Sequence, residues 1–142
     1  MFGEELSVYF VNPARDALGY EHVEGCLRFG RDEVELTFDE KDRAFRKIPA
    51  VTVTFGYGEV VKVTYVSRWF RPKQLRFETK TPEKLAEFPG AEVGQVALYI
   101  KPESREAASK APALVEFMQS EAWLAESDER LRERRNDLES GS

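Results

Sequence analysis

The only histidine and the only cysteine of this 142-residue chain, His22 and Cys26, stand four positions apart, a spacing that joins two ligands or a nucleophile and its base on a helix. The residues between them alternate apolar and polar, as in a strand, where four positions are over about 13 Å. The pair therefore predicts neither a metal centre nor an activated thiolate, and no second His or Cys exists to complete a ligand set. A serine triad would have the same single imidazole to use. With 26 Asp and Glu, carboxylates lie near one another by chance, so spacing marks no acid–base pair. Glu33, Glu35 and Asp39 share a strand face with Thr37 and read as a solvent-facing edge. Gly56-Tyr57-Gly58 lacks the third glycine and the following helix of a phosphate loop and reads as a hairpin turn. These readings predict no catalytic residue, no metal and no cofactor, and hence a protein that is not an enzyme.

What remains is binding chemistry. Arg68-Trp69-Phe70-Arg71-Pro72-Lys73-Gln74-Leu75-Arg76-Phe77, with Lys80 beyond, holds five cations against Glu78 and is the one basic and aromatic concentration in the sequence. Arg68, Trp69, Phe70, Arg71, Lys73 and Arg76 are the candidate binding residues. Exposed, the two aromatics would enter a membrane interface, stack on bases or anchor a partner. The plainer expectation is that they alternate into the body while the Arg stems cover its rim. A second candidate set lies in the last third of the chain, where Phe117, Leu124, Leu131 and Leu138 recur every seven residues. One apolar position per heptad is a narrow seam, since a two-stranded coil uses both a and d. The simple reading is a capping helix whose polar extension is held by pairs such as Glu126–Arg130 and Asp128–Arg132. The sharper one is a partner-binding or self-associating helix that works through Trp123, Leu124, Leu131 and Leu138.

The elements that position these residues follow from periodicity. Composition is ordinary for one globular domain, 42% hydrophobic and 33% charged, and the net charge of −5 gives no overall cationic field for nucleic acid. The acidic start Met1-Phe2-Gly3-Glu4-Glu5 is unlike a secretory leader, no apolar run approaches about eighteen residues, and a cytoplasmic location is expected. A strand-rich body spans about 5–102, and a helical segment spans about 103–138. Strands are expected over Leu6–Val11, Val23–Phe29, Val34–Phe38, a kinked Phe45–Phe55, Val60–Val66, Leu75–Thr79 and Gln95–Ile100. Thr81 before Pro82 reads as the N-cap of a short helix ended by Pro89-Gly90. The C-terminal segment should be a short helix or turn, a kink near Pro112 and a longer helix beyond it, with Leu114, Phe117, Met118, Ala122, Trp123 and Leu124 as the stripe that closes the body.

Val23–Phe29 followed by Glu33–Phe38, then Ile48-Pro49, Tyr57–Val63 and Arg68–Thr79, resembles the hairpins of bacterial pleckstrin-homology-like and GRAM-like domains over about residues 23–118. The resemblance implies an antiparallel barrel of about seven strands closed by an extended C-terminal helix. In lipid-binding members the first hairpin loop is basic; here Gly30-Arg31-Asp32-Glu33 sets one base against two acids. The expected function is a non-enzymatic intracellular binding module, an adaptor or scaffold. It would engage a protein partner through a strand edge, the 68–76 hairpin or the helix end, or self-associate. The alternative is peripheral binding of anionic membrane through Arg68, Trp69, Phe70, Arg71 and Lys73. Nucleic acid is not an expected partner.

Overall fold

The structure, a computed structural model, describes residues 5–13, 21–42, 50–88 and 91–140. Strands β1 (Leu6–Asn12), β2 (Glu21–Phe29), β3 (Glu33–Asp42) and β4 (Val51–Gly56) form one antiparallel sheet in sequence order. Strands β5 (Val60–Val66), β6 (Gln74–Thr79) and β7 (Gln95–Tyr99) form a second, and helix α1 (Arg105–Ser140) follows. The protein is mainly β with a C-terminal helix, and its described strands lie in two sheets rather than a closed barrel.

Alternation explains the core. Val8 and Phe10, Leu27 and Phe29, Val34, Leu36 and Phe38 sit at every second position and are buried. The register stacks Leu27 on Leu36 and Phe29 on Val34, so the same face turns inward on three strands. Phe55 and Phe77 then meet with ring centroids 4.9 Å apart, and Phe88 covers Phe38 at 4.7 Å, which binds the sheets through aromatic contact. Phe10 lies opposite Gly25, where a Cβ would stand 2.0 Å from the Thr37 carbonyl oxygen and 2.8 Å from the Phe10 ring. Only glycine fits that crossing.

The sheets join along β1 and β7 by side chains more than by ladder. Phe10 and Ile100 form an isolated bridge, and the Lys101 amide donates to the Tyr9 carbonyl at 3.0 Å. Asn12 supplies the rest: its Nδ2 donates to the Ala97 carbonyl at 3.0 Å, and its Oδ1 accepts the Tyr99 amide at 2.9 Å. Buried Ser104 accepts the Tyr9 amide at 2.9 Å through its hydroxyl.

Helix α1 is one continuous element through Pro112, where a short piece and a longer helix were expected. Proline there removes one intrahelical hydrogen bond, to the Ala108 carbonyl, while the turns on either side are held by buried Ala108, Ala111, Leu114 and Val115. The expected closing stripe is also shifted toward the N-terminus. Leu114 and Met118 pack on the core, but Phe117, Ala122, Trp123 and Leu124 are exposed because the helix outruns the body. Among the described residues, the last hydrogen bonds to the body come from Gln119 Nε2, at 2.6 Å to the Val60 carbonyl and 3.3 Å to that of Tyr57.

Three smaller expectations resolve as follows. The Phe45–Phe55 strand is seen as Val51–Gly56; Phe45, Ile48 and Pro49 lie outside the described residues, as does Pro89-Gly90. Pro82–Leu85 is a 3-10 turn, and the Thr81 hydroxyl pairs with that of Thr79 at 2.9 Å instead of capping it. Glu33, Glu35 and Asp39 do not mark an edge, because β3 lies between β2 and β4.

Candidate functional site

The β5–β6 connection is built to display its aromatics. Strand β5 ends at Val66 and β6 begins at Gln74, so Trp69 and Phe70 lie beyond the paired strands and alternation does not reach them. The Arg71 amide donates to the Arg68 carbonyl at 3.3 Å, which closes a β-turn with Trp69 and Phe70 as its two central residues. Phe70 has φ 65°, the left-handed conformation that turns of this kind reserve for glycine or asparagine. A phenylalanine there is strained by about 1–2 kcal/mol. The two rings stack on each other with centroids 4.8 Å apart and planes 7° apart. Trp69 is 85% exposed and Phe70 90% exposed, so the expected inward packing does not occur.

The cations divide around this tip. Arg68 and Arg71 flank the aromatic pair and are exposed, whereas Lys73 is half-buried at its base, its carbonyl accepting the Ile100 amide at 3.0 Å. Arg76 stands apart, on β6 between Thr64 and Ala97 of the neighbouring strands. All 26 acidic residues of the chain lie outside 67–77, so the tip is a local cationic pole on an acidic molecule.

The second candidate set is the free half of α1. Trp123 is 65% exposed, Leu124 53% and Leu131 62%; Leu138 lies on the same helix, with its side chain outside the described residues. The expected Glu126–Arg130 and Asp128–Arg132 pairs are not closed, and the ion pair on α1 among the described residues is Lys110–Glu106 at 3.3 Å. Between the β2–β3 turn at Gly30–Asp32 and the helix face carrying Leu114, Phe117, Met118 and Ala122 runs an open groove of about 600 Å³.

Between these sites the 3-10 turn Tyr57–Glu59 acts as a brace. The Tyr57 hydroxyl donates to the Gly30 carbonyl at 2.6 Å, and burial, with Asp32 nearby, pushes its pKa up to about 12. Lys84 Nζ donates to both oxygens of Glu59 at 2.9 Å and to the Thr54 carbonyl at 2.8 Å. That hydrogen bond, with one from the Gly56 amide, holds the Glu59 carboxyl below its ordinary range. Burial pushes the Cys26 thiol up, against a hydrogen bond with Ser7, which keeps it protonated and poorly nucleophilic at neutral pH. Among the described residues no group of three or more His, Cys, Asp or Glu is placed to hold a metal ion. No described helix is long and apolar enough to cross a membrane.

Sequence reasoning missed the coupling residues Asn12, Tyr57 and Ser104. Asn12 beside Pro13 reads as a strand stop, and nothing local shows that its amide pairs with a strand some 85 residues away.

Comparison with known proteins returns no match: no family model, no curated protein and no solved structure is similar to this chain.

Proposed function

We propose that this chain is a non-enzymatic binding module that docks on anionic membrane surfaces through the Arg68–Lys73 tip, on a body of the pleckstrin-homology-like type. The body reading is supported by the order of elements, four strands, then three, then a helix. One observation carries the membrane reading: a stacked Trp69–Phe70 pair stands almost fully in solvent on a left-handed turn, between two arginines and in a segment, 67–77, that contains no acid. Aromatic rings beside cations suit the interface of a bilayer, where the rings enter the headgroup layer and the guanidinium groups meet phosphate. Each cation near an anionic surface contributes about 1 kcal/mol. Each ring removed from water contributes about 2 kcal/mol more. The total is reversible, peripheral binding, and the acidic remainder of the molecule is repelled, which turns the tip toward the lipid. On this reading the protein works at the cytoplasmic leaflet, where anionic lipid is concentrated.

Co-sedimentation with phosphatidylserine-containing vesicles tests the proposal. Wild-type protein should pellet with them and not with neutral phosphatidylcholine vesicles, and binding should fall as salt rises. Trp69→Ala and Arg68→Glu should each weaken binding by about tenfold or more. Equal pelleting by the variants, or no salt-sensitive binding by the wild type, would overturn it. The expectation of a protein partner draws on a different observation, the exposed residues of α1.

A further inference from the structure

Among the described residues, hydrogen bonds from the helix to the body end at Gln119. Residues 120–136 are exposed apart from half-buried Ser127, and with the rest of α1 they form a rod about 30 Å long. A helix this polar is marginal alone and needs side-chain pairs or a partner. Among its described residues the Glu126–Arg130 and Asp128–Arg132 pairs are not closed, which leaves these charges for a second surface.

The charges fall in two blocks. From Glu116 to Glu129 the acids are Glu116, Glu121, Glu126, Asp128 and Glu129, with no base among them; from Arg130 to Arg135 four arginines face Glu133 alone. A parallel copy would set acid against acid and arginine against arginine. An antiparallel copy centred between Ser127 and Asp128 sets residues 120–125, with Glu121, against the arginines of 130–135, while Glu126, Asp128 and Glu129 lie about the centre. The apolar positions carry the same symmetry, since Leu124 and Leu131 are equally far from a point between Ser127 and Asp128. We propose that the free half of α1 pairs with the same segment of a second copy, antiparallel, about a two-fold axis beside Ser127 and Asp128. This is independent of the membrane reading.

In that pair Leu124 lies against Leu131 of the second copy, and the reverse contact is made by symmetry. Helical spacing places Glu121 and Arg135 on one flank of this stripe and Trp123 and Arg130 on the other. Like flanks meet when helices run antiparallel. Glu121 therefore reaches Arg135 of the second copy, and Trp123 offers its ring to Arg130 of the second copy. The basic block of the second copy lies opposite residues 120–125, at the end of the groove lined by Glu121, Ala122 and Ala125. One contact is unfavourable: the axis brings Asp128 toward its own copy. That defect makes the geometry distinctive, because removing a charge at this position should strengthen the pair.

Sedimentation velocity on the full chain, from a few micromolar to about 200 µM, tests the proposal. The wild type should pass from monomer to dimer across that range. Arg135→Glu should weaken the dimer roughly tenfold, and adding Glu121→Arg to it should restore most of the loss. Asp128→Asn should tighten the dimer severalfold. All three positions are exposed, and circular dichroism would show that each variant keeps its helix. A chain that stays monomeric at the highest concentration overturns the inference and leaves this face to another protein. A dimer indifferent to Arg135→Glu, or a double variant no better than the single one, overturns it as well.

Discussion

Asn12→Ala is the sharpest test of how the two sheets are joined. The substitution removes two hydrogen bonds, Nδ2 to the Ala97 carbonyl at 3.0 Å and the Tyr99 amide to Oδ1 at 2.9 Å. Each is worth about 1 kcal/mol net, and leaving the two backbone groups unpaired adds part of a further desolvation cost. All three residues are half-buried, so water reaches the site and limits that addition. The expected loss is about 2–3 kcal/mol, which at about 3 °C per kcal/mol lowers Tm by roughly 8 °C. Hydrogen exchange should localise it, with the Tyr99 amide exchanging about 30-fold faster or more. Ser104→Ala removes the neighbouring bond to the Tyr9 amide, 2.9 Å long, and should cost about 1 kcal/mol. The two substitutions act on one seam, so their effects should fall short of or exceed additivity by about 0.5 kcal/mol or more. A melting temperature within about 2 °C of wild type, with Tyr99 exchange unchanged, would show that water replaces the side chain and that Asn12 does not hold the sheets together.

Other predictions concern packing, pH and the tip. Gly25→Ala places a Cβ 2.0 Å from the Thr37 carbonyl oxygen, which is backbone and cannot swing away; we expect a loss above about 3 kcal/mol, read from thermal melts, and a Tm near wild type would contradict the crossing. Glu59 has a folded pKa below its ordinary 4.5, so its contribution to stability is present above that value and is lost as pH falls through the lower, folded value. Glu59→Gln should flatten this part of the acid limb in melts taken from pH 7 to pH 3, and an unaltered slope would assign the limb to other carboxylates. Phe70→Gly relieves left-handed strain of about 1–2 kcal/mol and gives back about 0.5–1 kcal/mol in chain entropy, with a little more in lost stacking. Its Tm should stay within about 3 °C of wild type while vesicle binding falls at least tenfold; a variant that melts far lower would show that the aromatic pair serves the fold.

Much of the fold was legible in the sequence because a strand with one buried face writes a period of two. Val8 and Phe10, Leu27 and Phe29, and Val96 and Leu98 are all buried where alternation places them. The division into two sheets was not legible, since it depends on where pairing stops, and an Asn side chain decides part of that. The tip misled for a related reason. Its apolar residues continue the composition of the neighbouring strands, but the ladder ends before them, and a turn points both rings outward. Pro112 is the opposite case: local propensity predicts a short piece and a longer helix, and tertiary packing on either side keeps them one element. The candidate residues themselves were visible as residue types, and it was their exposure that only the three-dimensional arrangement supplied.

The seam between β1 and β7 also bears on the order in which the chain acquires its structure. Asn12 and Tyr9 are made well before their side-chain-mediated partners at Ala97, Tyr99 and Ser104, which come 85 to 95 residues later. At about 5–20 residues per second, the outer edge of β1 waits roughly 5–20 s on the ribosome for those partners. During that interval Leu6–Asn12 presents open backbone donors and acceptors to any nascent neighbour. Closure of the long loop then falls late on the folding path, as expected of contacts so distant in sequence. Strand β1, translated before the other strands of the two sheets, is thus among the last to be fully paired.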